Sequence, residues 1–184
     1  MELEKIHQYI NFIENFNGFA SPGSIIGAYM LIIAKKIIDF SVDEPIYVTC
    51  ETSNCLPDAF QAITKSTIGN GRLKIYETGK MAATINKQQC PGKTTKGIRI
   101  ILDAEKAKNY PIIYDWYLNN RKVAAEEVNP ELLKAGTKIY SWNFVDVNVP
   151  KKEKKLIKIC YACKEPFINK TGLDICPDCY QRVR

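Results

Sequence analysis

The chain has 184 residues, a net charge of +6, and apolar and charged fractions typical of a soluble globular protein. This length supports one well-packed core with a small additional module. The most apolar run, Ile25 to Ala34, is far shorter than the ~20 residues that cross a membrane, so a membrane protein is excluded. Because the first residues are charged and resemble no signal peptide, we expect a cytoplasmic protein.

The seven cysteines are expected to be thiols, since nothing indicates secretion. The positive charge is concentrated near the end of the chain. Residues 151–184 hold nine Lys and Arg against four Asp and Glu, whereas the first 150 residues hold seventeen against sixteen. This local excess of five positive charges is modest, so the electrostatic case for nucleic-acid binding is weak.

Two helices are predicted first. Ile6, Ile10 and Ile13 share one side of a helix from Leu3 to Asn15. The pair Ser21-Pro22 then begins a second helix that continues to about Asp39, because serine caps helix starts and proline suits the first turn. This second helix is apolar on nearly every face and should be central.

The next elements alternate between strand and helix. They are a strand at Ile46–Cys50, a helix at Leu56–Lys65, and strands at Leu73–Tyr76, Met81–Ile85 and Gly97–Leu102. This order predicts an α+β domain with an α-β-α-β-β-β core around a small mixed sheet.

The remaining residues are less regular. Residues 104–136 are predicted to form exposed helices, one of which begins at Asn129-Pro130-Glu131. A strand follows over Lys138–Val149, with Ile139 and Trp142 as its buried anchors. The charged linker Val149–Lys155 divides the chain into an α+β domain, residues 1–150, and a module, residues 151–184.

The second module carries two Cys-x-x-Cys pairs, Cys160 with Cys163 and Cys176 with Cys179. Paired motifs at this separation are typical of a zinc ribbon, in which a short hairpin returns the chain to the metal. Four thiolates complete a tetrahedral shell, so the predicted cofactor is one structural Zn²⁺ per chain. Lys170-Thr171-Gly172 should form the turn, and Phe167 the small core.

This module has three interpretations. Its metal site could simply stabilise the fold of a tail that is too short to fold alone, or the module could bind a protein partner. Nucleic-acid binding is the weaker alternative, although aromatic and cationic side chains alternate as in a stacking platform. These side chains are Tyr161, Phe167 and Tyr180 among Lys158, Lys164, Lys170 and Arg182.

Three stretches of the first domain resemble the FmdE family of formylmethanofuran dehydrogenase subunits. They are Phe16–Gly23, Asn54–Gln61, and Gly69–Leu73 continuing to Gly79–Ala82. The resemblance covers residues 3–102 and the cysteine-rich tail, and it implies the same core followed by a zinc ribbon. The name suggests a methanogenesis-related setting, but it does not establish a role in formylmethanofuran oxidation.

The family's first motif is normally His-Gly-His-x-Cys-Pro-Gly, and the resemblance implies that it lines a metal-binding cleft with a nearby cysteine. In this chain the two histidine positions are Asn17 and Phe19, and the cysteine position is Ser21. These residues are poor ligands for a transition metal, so the core site is expected to be degenerate. The one histidine, His7, is interpreted as a half-exposed helix residue rather than as a replacement ligand.

Cys55 matches the family's second cysteine and is the candidate reactive group, since it begins a helix whose dipole favours a thiolate. We favour the competing interpretation that Cys55 is a small buried side chain. Lys80 could meet an anion in the cleft, or could simply be an edge-strand lysine. Cys50 should be buried and inert, and Cys90 lies in a predicted loop.

The leading hypothesis is therefore a zinc-binding, non-catalytic accessory protein that binds a protein partner, since the ligands of the core site are lost. The alternatives are a small-ligand binder or enzyme using Cys55, and a nucleic-acid-binding regulator acting through the ribbon. We also expect a homodimer, because the second helix is more apolar than so small a domain can easily cover.

Overall fold

The computed structural model describes residues 2–41, 44–87, 91–149, 151 and 154–182. The chain divides into two compact units, Met1–Val149 and Pro150–Arg184, which we call the body and the ribbon. Three residues of the predicted linker, 150, 152 and 153, lie outside the described residues. None of the described helices is long and apolar enough to cross a membrane.

The first three helices form as predicted: α1 spans Glu2–Asn17, α2 spans Pro22–Ile38 and α3 spans Leu56–Thr64. Ser21 caps α2, because its Oγ accepts a hydrogen bond from the backbone N–H of Ser24 at 3.3 Å. Every residue of α2 from Pro22 to Ala34 is buried. The reason given for expecting a homodimer through α2 is therefore wrong, since the protein itself covers this helix.

The body contains one mixed sheet of five strands in the order β2-β1-β3-β4-β5. Its strands are β1 Tyr47–Cys50, β2 Leu73–Ile75, β3 Ala82–Asn86, β4 Thr94–Leu102 and β5 Tyr140–Asn148. Strands β1 and β2 are parallel, and the other neighbours are antiparallel. The predicted α+β class and small mixed sheet are confirmed. Strand β4 is longer than predicted because it pairs with β5 along its whole length.

Residues 104–136 form three short helices, α4 Ala104–Ala107, α5 Pro111–Tyr117 and α6 Ala125–Ala135. The prediction that this region is exposed was partly wrong, since Ile113, Val128 and Leu132 are buried. The predicted helix start at Asn129 was also wrong, because Pro130 lies inside α6. Two contacts stabilise the turn before the proline: Val128 packs in the core, and Glu127 accepts the Ala124 N–H at 3.3 Å.

Strand β5 is the last in the sheet order, and this position explains why the prediction that Trp142 is buried was wrong. Ile139 is fully buried as predicted, but Trp142 remains 47% exposed. Helix α2 reaches the beginning of β5 through Tyr29, whose ring centroid lies 6.1 Å from that of Tyr140. Residues of β5 that follow Tyr140 on the core face, such as Trp142, lie beyond this contact with α2 and are therefore less covered.

One ion pair connects the end of β1 to β4, two strands that are separated in the sheet by β3. Arg99 in the middle of β4 donates from Nε and Nη2 to the two carboxylate oxygens of Glu51, at 2.5 and 2.8 Å. Glu51 directly follows β1, and only 12% of its side chain is exposed. The hydrogen bond from Arg99 is the main reason that the pKa of Glu51 lies below its usual range. This pair anchors the segment that leads from β1 to Cys55.

In the ribbon, the strands β6 Ile157–Ile159 and β7 Pro166–Ile168 form an antiparallel hairpin. A short helix, α7, follows at Pro177–Arg182. The predicted turn at Lys170–Gly172 is confirmed, with Gly172 at a φ of 81°. The core prediction was partly wrong, since Phe167 is only half-buried while Ile175 is 8% exposed.

We predict that Gly27→Val destabilises the body by about 3 kcal/mol, the upper end of the usual cost of overpacking. A Cβ at Gly27 would lie 2.7 Å from the Ala59 Cβ and 3.0 Å from the Leu56 carbonyl oxygen of α3. Chemical denaturation measures the free energy of unfolding. The matched control is Gly69→Val, because the one atom near a Cβ there is Thr67 Oγ1 at 3.8 Å. Equal stabilities for the two variants would contradict this close approach.

We predict that Glu51→Gln lowers the free energy of unfolding at pH 7 by about 1–3 kcal/mol, since it leaves the Arg99 charge without its partner. Because the folded-state pKa of Glu51 is lowered, its stabilising effect is present above the unfolded value of about 4.3 and is lost as the pH falls through the folded value. Wild type and variant should therefore converge as the pH falls below the unfolded value of about 4.3. Denaturation at pH 7 and at an acidic pH below that value measures this.

The control is Glu105→Gln, which removes an ion pair with Lys108 whose side chains are 79% and 51% exposed. This variant should change stability by less than about 0.5 kcal/mol. A difference between wild type and Glu51→Gln that is the same at both pH values would contradict the role given to the Glu51 charge.

Candidate metal centre and core site

The ribbon brings its four cysteines together at one point. A sulfur atom from each of Cys160, Cys163, Cys176 and Cys179 lies within 4.8 Å of every other. Among the described residues, these four form the only group of three or more side chains that could hold a metal ion. The first pair follows β6, and the second pair spans the start of α7.

Backbone groups set the sulfur positions. The N–H of Cys176 donates to Cys160 Sγ at 3.3 Å, and the N–H of Cys179 donates to Cys176 Sγ at 3.5 Å. The first Cys-x-x-Cys turn closes with a hydrogen bond from the Lys164 N–H to the Cys160 carbonyl at 2.9 Å. Lys164 takes a φ of 65°, so the chain reverses directly after Cys163.

The thiols influence one another electrostatically. The N–H of Cys176 lowers the pKa of Cys160 to about 6. The neighbouring Cys176 sulfur raises the pKa of Cys179 to about 12. Thiolates this close together repel one another, so a cation is needed before all four can ionise. The donor set fits a metal ion that accepts four sulfur ligands and leaves no open position.

Asn169 organises the hairpin and was missed by the sequence analysis. Its side chain is 7% exposed. Its Oδ1 accepts the N–H groups of Thr171 and Gly172 at 3.1 and 2.6 Å, while Nδ2 donates to the Leu173 carbonyl. An asparagine two or three residues before a glycine is a common turn former, which is the signal that could have identified it.

In the body, the loop between α1 and α2 meets the start of α3. Asn17 Nδ2 donates to Asp58 Oδ2 at 3.2 Å. A Cβ placed on Gly23 would lie 3.2 Å from the Cys55 Cβ, so the two helices approach closely here. Burial raises the pKa of Asp58. The structure therefore places Asn17, Ser21 and Cys55 on segments that pack against each other.

The side chains at the three positions that correspond to the family's first motif differ in burial and in their hydrogen bonds. Ser21 is 4% exposed, and its hydroxyl caps α2 and donates to Ser24 Oγ at 3.1 Å. Phe19 is 58% exposed. Cys55 is also exposed, so the favoured interpretation of a buried cysteine was wrong. Because Cys55 precedes the first helical residue, Leu56 takes the inward position instead.

The other singled-out residues lie apart from this loop. His7 lies on α1, as predicted, and is exposed rather than half-exposed. Cys50 is fully buried, as predicted, and burial raises its pKa to about 12, which disfavours the reactive thiolate form. Cys90 lies outside the described residues. Lys80 is exposed in a turn rather than on an edge strand, and its N–H donates to the Glu51 carbonyl at 3.2 Å.

The groups that hold the segment before Cys55 were not among the predicted site residues. The Glu77 carboxylate accepts the N–H of Ser53 at 2.6 Å and that of Gly79 at 3.0 Å. The Lys80 charge contributes to lowering the pKa of Glu51. Lys80 therefore helps to stabilise the segment that leads from β1 to Cys55.

Arg99, the partner of Glu51, was also not identified from the sequence. It could have been recognised because it is a charged residue between the apolar residues Ile98 and Ile100 of a predicted strand.

Comparisons with known proteins agree with this architecture. Residues 16–148 match the family model described as "FmdE, Molybdenum formylmethanofuran dehydrogenase operon". The crystal structure of a tungsten formylmethanofuran dehydrogenase FmdE-like protein from Syntrophus aciditrophicus is similar, with a TM-score of 0.79 and 30% identity, over 95% of this chain and 91% of that chain.

A curated relative from Archaeoglobus fulgidus is described as a "Probable S-adenosyl-L-methionine-binding protein". It is 28% identical over 152 residues, which is 78% of this chain but 40% of that protein. This chain therefore spans less than half the length of that relative. The family model covers helices α2 to α6, the sheet and the Cys55 segment of the body. The predicted family is therefore confirmed: the chain belongs to the FmdE family.

Proposed function

We propose that this FmdE-family protein is a non-catalytic accessory protein whose ribbon holds one structural Zn²⁺. The observation that carries the metal assignment is the approach of four cysteine sulfurs to within 4.8 Å of one another. Thiolate ligands favour zinc over the hard cations Mg²⁺ and Ca²⁺, which prefer oxygen. A shell completed by Cys160, Cys163, Cys176 and Cys179 has no position for a substrate, so the ion stabilises the fold of the ribbon.

The accessory role is supported by the core site. At the positions where the family resemblance implies metal ligands, Ser21 is used as a helix cap and Asn17 is hydrogen-bonded to Asp58. Phe19 has no donor atom. A transition metal at this loop would have to compete with these hydrogen bonds for weak amide and hydroxyl ligands.

The proposed partner is a protein that binds the ribbon. Ile157, Ile159 and Ile168 are 56%, 66% and 43% exposed, and the pairing of β6 with β7 places all three on one face of the hairpin. Nucleic acid is less favoured because two of the cations near the aromatic side chains already have acidic partners. Lys158 Nζ lies 2.6 Å from Asp174, and Arg182 lies 2.8 Å from Asp178.

We predict one tightly held zinc ion per chain after purification without added metal. Elemental analysis, normalised to the protein concentration, identifies the metal and its stoichiometry. The motivating observation is that the cysteine cluster is the only described group with enough ligands. Two bound transition-metal ions per chain would contradict a degenerate core site and would direct attention to Cys55 and Asp58 as ligands.

We predict that Cys176→Ser releases the metal and unfolds the ribbon while the body stays folded. The ribbon buries little apolar surface beyond Ile175, so metal binding must supply its folding free energy. Limited proteolysis should then cut within residues 151–170 and leave a resistant fragment of about 150 residues.

The matched control is Cys55→Ser, which removes an exposed thiol outside the cluster and should keep both the zinc and the intact chain. If Cys176→Ser instead unfolds in one transition together with the body, the ribbon is not a separable module and the proposed division of roles is wrong.

A second candidate function is the binding of a small ligand beside Cys55. Two observations favour it: Cys55 is exposed and lies next to Gly23 at the start of α2, and a relative carries the description S-adenosyl-L-methionine-binding. S-adenosyl-L-methionine is therefore the first ligand to test. Since the chain covers 40% of that relative, the transfer of this property is itself the hypothesis.

If this second function is correct, equilibrium dialysis should give saturable binding of S-adenosyl-L-methionine. The ligand should also slow alkylation of Cys55 by iodoacetamide at neutral pH, measured by peptide mass spectrometry. Cys50 serves as the internal control because it is buried and should not react in either condition. Absence of binding together with unchanged alkylation would exclude this ligand and leave the accessory function.

A further inference from the structure

The hydrogen bonds of the ribbon hairpin show which backbone groups of β6 face outward. The Cys160 N–H donates to the returning segment of the hairpin at 2.9 Å, and the Leu156 carbonyl accepts from it at 2.8 Å. In an antiparallel ladder alternate residues bond to the same neighbour, so the even-numbered residues of β6 bond to β7. The N–H and C=O groups of Ile157 and Ile159 therefore point away from the hairpin.

The two outer edges of the hairpin differ in what they offer a further strand. On β7 the outward positions are Pro166, which has no N–H, and Ile168. Proline in this position is a common protection of a strand edge. On β6 neither Ile157 nor Ile159 makes a hydrogen bond to any other part of the chain that the structure describes. The open edge ends at Tyr161, whose N–H is already bonded at 2.9 Å.

The side chains beside the open edge are apolar and poorly covered. Ile157 and Ile159 are 56% and 66% exposed, and they share one face of the hairpin with Ile168. A sheet of two strands is marginally stable in water, so a third strand that covers part of this face would stabilise the hairpin. Backbone groups and side chains at this edge thus favour the same kind of occupant.

Positive charge lies at the beginning of the open edge. Lys154 and Lys155 are exposed and come just before β6. Neither forms an ion pair with another residue that the structure describes. Lys158 and Arg182, by contrast, already have acidic partners. A strand that pairs with β6 and continues past Ile157 would therefore meet two cations that lack a partner.

We propose that an extended segment of the partner protein pairs antiparallel with the outer edge of β6 and adds a third strand to the hairpin. The proposal rests on the proposed function, because it takes a protein as the partner of the ribbon. Antiparallel pairing lets Ile157 and Ile159 each exchange both backbone hydrogen bonds with one partner residue. Main-chain bonds then supply affinity, and the side chains supply specificity.

The register of this pairing specifies the sequence of the partner segment. Side chains of paired residues share one face, so the partner residues opposite Ile159 and Ile157 are apolar and stand at alternate positions. The partner chain runs in the opposite direction to β6, so it then reaches Lys155 and Lys154. The residues opposite these lysines are acidic. The partner segment therefore reads apolar, any, apolar, any, acidic, acidic.

Charge and chemistry favour this occupant over the other candidates. A second ribbon would carry the same positive excess, nine Lys and Arg against four Asp and Glu over residues 151–184, and would be repelled. Single-stranded nucleic acid binds through aromatic rings on which bases stack, whereas the open edge presents isoleucine side chains and backbone groups.

Peptide selection tests the sequence pattern. The zinc-loaded full chain is presented with a displayed library of random peptides, and the enriched sequences are read. We expect two apolar residues at alternate positions followed by acidic residues. The variant in which Lys154→Glu and Lys155→Glu are combined should keep the apolar pair and exchange the acidic residues for basic ones. This variant changes residues outside β6 and outside the cysteine cluster.

Proline variants test the backbone pairing. Ile157→Pro removes an outward N–H of the open edge, and its matched control Ile168→Pro removes an outward N–H on the opposite edge. The probe is the synthetic peptide Val-Thr-Val-Thr-Glu-Glu, titrated into the isotopically labelled, zinc-loaded chain and followed by NMR. Ile157→Pro should weaken binding by at least about tenfold and Ile168→Pro by less than about threefold. The peptide should also slow hydrogen exchange of the Ile157 and Ile159 amides in the wild type.

Zinc content shows whether each variant keeps its fold. If Ile157→Pro loses zinc, Ile157→Asp replaces it with Ile168→Asp as control, and the same difference in affinity is expected because the added carboxylate faces the partner segment. Peptides that bind the ribbon without the predicted pattern, and that are indifferent to the change at Ile157, would overturn the edge pairing and leave partner binding by the ribbon in place. A zinc-loaded chain that enriches no peptide would overturn both. Loss of oligonucleotide binding or of ribbon–ribbon association in Ile157→Pro, without an effect on peptides, would assign the edge to that occupant and overturn the proposal.

Discussion

Helices α2 and α3 cross so closely that α2 presents glycine at the contact. A Cβ on Gly27 would lie 2.7 Å from Ala59, and one on Gly23 would lie 3.2 Å from Cys55. This approach holds α3 against the most buried helix of the protein and places Cys55 beside the loop that precedes α2. The core of the body and the geometry of the core site therefore depend on the same contact, and a larger side chain there would disturb both.

The two units are stabilised by different physical effects. In the body, α2 is buried over Pro22–Ala34, and apolar burial supplies most of the folding free energy. The ribbon has few buried apolar residues, chiefly Ile175, and its cysteine sulfurs repel one another once ionised. A bound metal ion attracts each thiolate and so offsets their mutual repulsion. In the ribbon, metal binding and folding are therefore expected to occur together.

The loop between α1 and α2 is held by its backbone conformation and by hydrogen bonds of its side chains. Gly18 has a φ of 84°, and Pro22 and Gly23 begin α2, so the loop can keep its course without histidine or cysteine. Ser21 caps α2, and Asn17 donates a hydrogen bond to Asp58. These contacts hold the loop against the start of α2 and against α3, and the proposed accessory function rests on them.

The sequence by itself determined the features that depend on short-range spacing: the two Cys-x-x-Cys pairs, the capped start of α2 at Ser21, and the order of helices and strands. Only the tertiary structure decided which residues are covered. Cys55 is exposed because Leu56 takes the inward position, and Trp142 is exposed because β5 is the last strand. The Glu51–Arg99 pair likewise joins residues 48 positions apart. Spacing along the chain reports local geometry, whereas burial depends on which distant element packs above each residue.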